Sequence, residues 1–167
     1  MGEDPDLTGQ EAAGASLQPV EPGYTNVLRL RLAVLWVPLI IGAVVLDRAL
    51  EGTVFHLLPS FGAPLLALVS LATVPQRVYA RLGYRLSDRW LRVVRGWLFH
   101  TDTIVPLVRV QHIDVRRGPA EKLFGVATLV VHTAGTHNSI VTVPGLSPER
   151  AAEIRDVIRE HVRTDFE

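Results

Sequence analysis

Two long apolar runs, parted by one short polar interval, dominate the first half of the chain. Between Arg31 and Arg77 the only charged residues are Asp47, Arg48 and Glu51, and they fall together. Charge cleared from two stretches and gathered between them predicts a helical hairpin through a bilayer. The first uncharged stretch, Leu32–Leu46, has 15 residues; at 1.5 Å per residue it covers about 22 Å, short of a hydrocarbon core of about 30 Å. Extended back to Val27 it becomes long enough, with Arg29 and Arg31 snorkelling toward the headgroups. The second, Gly52–Val74, is uncharged over 23 residues and suffices alone. Leu, Ile, Val and Phe each contribute about −0.3 to −0.6 kcal/mol on insertion scales, so each run favours the bilayer by several kcal/mol. Pro38, Pro59 and Pro64 interrupt the pattern, and a re-entrant second segment broken at Pro59–Pro64 is the competing reading.

From Gly83 the period changes from that of a helix to that of short strands. Gly83–Ser87, Trp90–Arg95 and Trp97–Leu107 are rich in branched and aromatic residues and are broken at Ser87-Asp88 and Gly96. In Val110–Arg117, Ile113 and Val115 share one face while His112, Asp114 and Arg116 share the other, which predicts a half-buried strand. Gly118-Pro119 then opens a one-turn helix, Ala120–Phe124, closed by Gly125. Val126–Ala134 and Asn138–Val143 read as a hairpin about Gly135-Thr136-His137. The last segment is an amphipathic helix: Ser147 caps it, Pro148 takes its first position, and Ile154, Val157, Ile158, His161 and Val162 form one buried stripe.

Charge refines this division. Residues 1–26 hold five acids and no base, residues 76–122 ten bases against four acids, and residues 123–167 four bases against six acids. The predicted organisation is a disordered acidic tail over 1–26, a transmembrane hairpin over 27–75 with spans at about 27–46 and 53–74, and one small domain over 76–167. An acidic leader with no cleavage site after the first run argues against a removed signal peptide. Arg29 and Arg31 flanking the first span at its margin, and Arg77, Arg81, Arg85 and Arg89 after the second, predict both termini in the cytoplasm of a multi-pass protein of the cell membrane.

Candidate chemistry is sparse. Cysteine is absent, which excludes disulfides, thiolate metal sites and cysteine nucleophiles. No phosphate loop, dinucleotide fingerprint, nucleophile elbow or HExxH helix occurs. His112 and Asp114 share a strand face without a third ligand at recognisable spacing, so polar pairing is the expected role. His132 and His137 belong with a hairpin surface, and His56 with the membrane interface. Arg77, Arg81 and Arg85 recur every four residues and would line one helix face if the helix continued past Pro75; Arg116, Arg117 and Lys122 cluster around the Gly118-Pro119 turn. These six are the candidate contacts for lipid headgroups or anions. Trp90 and Trp97 are expected to pack in the core, with an interfacial aromatic anchor as the alternative.

The second half resembles a known family. Tyr84-Arg-Leu-Ser-Asp-Arg, Arg95-Gly-Trp-Leu-Phe, Val105-Pro-Leu, Arg109-Val-Gln-His-Ile-Asp-Val, Gly118-Pro-Ala-Glu-Lys-Leu-Phe-Gly-Val-Ala-Thr-Leu and Val143-Pro-Gly-Leu occur in the order seen in bacterial pleckstrin-homology-like domains of the membrane-flanked, YdbS-like type. The likeness covers about residues 80–163, and the paired spans before it match the same architecture. The resemblance implies a membrane-anchored α+β protein in which a seven-stranded, partly open, mostly antiparallel barrel, capped by a C-terminal helix, lies on the cytoplasmic face. It does not imply an enzymatic activity, since such domains look like interaction modules, and with the missing motifs the chain is expected to use no cofactor and no metal. The expected partners are membrane lipids, membrane or cytoplasmic proteins, a second copy or a longer paralogue; nucleic acid is not among them. Protein–protein or self-association in a membrane complex is the expected role, and sensing of anionic headgroups at the inner leaflet is the alternative.

Overall fold

Backbone groups in an apolar setting must find their partners internally, so the two charge-free runs become helices. In the computed structural model, which describes residues 16–97, 99–134 and 140–164, with side chains as far as His161, these are α1 (Gly23–Ala49) and α2 (Leu58–Ala80). Both are long and apolar enough to cross a membrane, and only 6% and 11% of their most apolar windows is buried within the protein. That exposure separates them from core helices of a soluble fold. Val34, Leu35, Val37, Ile41, Val45, Phe61, Leu65, Leu66 and Leu68 are all more than half exposed, the surface that lipid covers.

α2 runs unbroken past Pro64 and Pro75, so the re-entrant reading is not the one adopted. Pro59 falls in the first turn, where its missing N–H costs nothing. The helix starts at Leu58 rather than near residue 53 because Leu57 takes a left-handed φ of 73° and breaks the preceding turns. Asp47, in the last turn of α1, secures this junction: its carboxylate accepts from Leu57 N at 2.8 Å and from the Ser60 hydroxyl. Asp47 is 5% exposed. The sequence reading placed it among loop charges; it is instead the acceptor that closes the hairpin.

The remaining elements are β1 (Gln18–Pro19), β2 (Gly83–Leu86), β3 (Trp90–Arg95), β4 (Thr101–Pro106), a 3-10 turn (Leu107–Arg109), β5 (Val110–Arg116), α3 (Pro119–Leu123), β6 (Ala127–Thr133), β7 (Ile140–Leu146) and α4 (Pro148–Thr164). They form two antiparallel sheets, ordered β1-β2-β3-β4 and β5-β6-β7, that do not close on each other. Leu91, Val93, Val105, Leu107, Leu129, Val131, Val141 and Val143 fill the space between them. Ala151, Ile154 and Ile158 of α4 seal that core, with α4 lying on β5, β6 and the 3-10 turn. The chain is thus a membrane-anchored α+β protein with a PH-like domain of seven strands and a C-terminal helix.

Several expectations require correction. Of the 1–26 tail, residues 16–26 are ordered; residues 1–15 lie outside the described residues. Gln18 and Pro19 pair with Tyr84 and Gly83, and Val20, Tyr24 and Val27 enter the core. Low average hydrophobicity concealed Leu17, Val20, Tyr24 and Val27, spaced so that one face of the segment is apolar. β4 begins at Thr101 rather than Trp97, because Gly96, at φ 149°, turns the chain with Phe99 O only 1.9 Å from where a side chain would begin. Trp90 and Trp97 are half-buried and stand outside the core cluster. Val157 is 43% exposed; Ala151 takes the place it was assigned in the stripe of α4, and Val162 lies outside the described side chains. The turn Gly135-Thr136-His137 also lies outside the described residues, though its strands pair as expected.

Candidate functional site

The hairpin is built into the domain rather than strung from it. Glu21 N donates to Gly145 O at 2.7 Å, and the Tyr79 hydroxyl donates to Val20 O at 3.0 Å, so both helices meet the same segment. Two glycines permit this closeness. A side chain on Gly23 would begin 2.6 Å from Phe124 O, and one on Gly145, already at φ 76°, would begin 2.7 Å from Tyr24 Cβ.

Glu121 is the centre of the junction. It sits at the third position of α3, where its Oε2 accepts from Gly118 N at 2.6 Å, half of a capping box. Its Oε1 accepts from the Thr128 hydroxyl of β6 at 2.9 Å and from the Arg31 guanidinium of α1 at 3.2 Å. Glu121 is 6% exposed, whereas the Arg31 side chain is 56% exposed. One buried carboxylate therefore joins the membrane-entering helix, the one-turn helix and the sheet. The Gly118-Pro119-Ala120-Glu121 spacing could have revealed the local cap; nothing in a single sequence pairs Glu121 with Arg31, 90 residues away.

The six sequence-predicted cations fall into separate places. Arg77 is exposed on the last turns of α2, and Arg81 follows the helix end, where it donates to Trp97 O at 2.9 Å. Arg85 is not on a helix at all: α2 stops at Ala80, and Arg85 lies on β2, donating to Ser16 O at 3.0 Å. The expected single face over Arg77, Arg81 and Arg85 does not form. Arg116 and Arg117 are exposed at the end of β5 and Lys122 is exposed on α3, so these three do share the Gly118-Pro119 turn. Arg116 also reaches Asp114 at 3.5 Å.

On the outer face of the second sheet, Asp114 Oδ1 meets His112 Nε2 at 2.9 Å, and Oδ2 lies 3.8 Å from Nε2 of His132. His112 and His132 are cross-strand partners with ring centroids 5.7 Å apart. His132 Nε2 is buried without a hydrogen-bond partner at normal distance. Among the described residues no group of three His, Cys, Asp or Glu is arranged to hold a metal ion. The cluster is a polar pairing across two strands. On the first sheet, Arg92 clasps Asp102 through two nitrogens, which holds the Asp102 carboxyl below the usual carboxylate range.

Comparison with known proteins agrees with this architecture. The bacterial PH domain family matches residues 30–162, a span that takes in the hairpin as well as the sheets. The chain is similar to the transmembrane protein YdbS of Bacillus subtilis (strain 168), with 33% identity over 97 residues. That match covers 58% of this chain and 59% of the relative, so the chain spans less than two thirds of the relative's length. No solved structure matches it. With most of its length matched and the two sheets and closing helix in place, the chain belongs to the bacterial PH domain family.

Proposed function

We propose that this protein is a non-enzymatic membrane component whose PH-like domain, on the cytoplasmic side, associates with other proteins or with a second copy. The observation that carries the reading is the side of β4 that has no strand partner among the described residues. It ends the first sheet, the second sheet does not close onto it, and Ile104 and Val108 beside it are 45% and 70% exposed. An unpaired strand edge with apolar side chains is a template for an added strand. The arginines flanking the hairpin, against the single Arg48 near its far end, support two crossings with both termini inside. The relative's designation as a transmembrane protein supports the location in a membrane. The chain lacks cysteine, so a single Val108→Cys variant can be crosslinked in native membranes. A reproducible dimer or heteromeric adduct, lost when Ile104 is also replaced by Lys, is expected. A species that stays monomeric with either side chain contradicts the proposal.

A second reading, contact with anionic headgroups, is favoured by one observation. The Arg31–Glu121 pair holds α3, with Lys122 and the neighbouring Arg116 and Arg117, beside the helix that enters the membrane.

A further inference from the structure

The hairpin fixes the height of the domain against the bilayer. Counting about 20 residues of hydrocarbon-spanning helix inward from the Asp47–Leu57 junction puts the inner boundary near Val27 on α1 and near Arg77 on α2. Arg31 lies four residues from that point, about 6 Å toward the bilayer, where its guanidinium can reach the headgroups, and Glu121 bonds to it, so α3 lies within about one helical turn of the boundary. Arg81 lies four residues past Arg77, about 6 Å further in, and it holds the Trp97 carbonyl. The β3–β4 loop is therefore at headgroup depth beside α2, as α3 is beside α1.

Each of these two places carries an apolar side chain that the described residues leave largely uncovered. Leu123, at the end of α3, is 71% exposed, and Phe99, in the β3–β4 loop, is 85% exposed. Exposed apolar residues at this depth continue the lipid-facing surface of the hairpin, and the cations next to Leu123 complement an anionic leaflet. Resting on the headgroup reading above, we propose that Leu123 and Phe99 are two feet, one beside each helix, that dip into the inner leaflet. Lys122, Arg116 and Arg117 hold the Leu123 foot down by attraction to anionic headgroups. The occupant of this face is the membrane that the chain already spans, and the domain has one seated orientation on it.

The test uses the full chain in nanodiscs, one rich in phosphatidylglycerol and one of phosphatidylcholine alone. Since no cysteine is present, Leu123→Cys, Phe99→Cys and Val157→Cys each accept a single environment-sensitive fluorophore. Val157 is an exposed apolar position on α4, well away from both feet in sequence and on the element that seals the core. Labels at 123 and 99 should be blue-shifted and quenched by spin-labelled lipid, whereas the label at 157 should remain in water. If 123 and 99 are no more quenched than 157, the feet do not exist. Arg116→Glu with Arg117→Glu should weaken quenching at 123 in the phosphatidylglycerol disc. Each cation lost should lower the seated-to-lifted ratio about fivefold. Quenching at both feet that ignores lipid charge and these substitutions overturns the headgroup reading and leaves the apolar seat standing. A blue shift that grows with protein concentration without lipid quenching assigns the surface to protein contact and overturns the proposal.

Discussion

Replacing Glu121 by Ala should uncouple the domain from the hairpin, and the structure sets the size of the effect. The carboxylate is buried and takes three donors: Gly118 N, the Thr128 hydroxyl and Arg31. A buried N–H left without an acceptor costs about 1–3 kcal/mol, and the Thr128 hydroxyl about 1 kcal/mol more. The Arg31 contribution is small, about 0.5 kcal/mol, because its side chain is more than half exposed and solvent screens the pair. The expected loss is therefore about 2–4 kcal/mol, a large share of a small domain's stability, and should lower its melting temperature by about 10 °C or more. Glu121→Gln retains the shape and an acceptor, so it should lose about half as much. Thermal unfolding in detergent micelles, read by near-ultraviolet dichroism of the domain's tryptophans and tyrosines, gives the magnitude. Hydrogen exchange gives the place: the Gly118 amide and the first turns of α1 should exchange faster in the Ala variant. A Glu121→Ala protein that melts with the parent and exchanges normally at Gly118 would refute the role assigned to this carboxylate.

Other consequences are local and separable. Gly23→Val should destabilise by more than about 2 kcal/mol, because the new side chain meets the fixed Phe124 carbonyl; protease cleavage between α1 and the domain should rise. Asp47→Ala strips Leu57 N and Ser60 of their acceptor at a cost of about 1–3 kcal/mol, loosening the hairpin loop to proteolysis while the sheets keep their dichroism. Asp102 titrates below the ordinary carboxylate range through its bonds to Arg92. The pair's stabilisation should be complete above that range and disappear as acid protonates the folded carboxyl. Asp102→Asn should thus lower the denaturation midpoint by about 1 kcal/mol equivalent at neutral pH and leave it unchanged in strong acid; a pH-independent difference contradicts the assignment.

What could be read beforehand follows from the range of each interaction. The helices, most strands and the cap of α4 depend on neighbours within a few residues. Pro148 after Ser147 therefore announced the start of the last helix, where Ser147 Oγ accepts from Arg150 N at 3.2 Å. The family order of motifs from Tyr84 to Leu146 likewise fixed the succession of strands. The docking of the hairpin was hidden because its parts are far apart: Val20, Tyr24 and Val27 look like the margin of a tail until β7 and α3 are brought against them. Arg85 was misplaced on a helix because a four-residue spacing continued past Ala80, where the chain becomes a strand. Spacing alone cannot sense that end.

The central claim is a two-helix anchor that holds the sheets at the inner surface of the membrane, and labelling of the cysteine-free chain tests it most directly. Single cysteines at Glu51 in the hairpin loop and at Lys122 on α3 are offered to a membrane-impermeant maleimide in intact cells, then after permeabilisation. Glu51→Cys should react from outside at once, and Lys122→Cys only after the membrane is opened. Reaction of Lys122→Cys in intact cells, or protection of Glu51→Cys until the membrane is opened, would contradict the account.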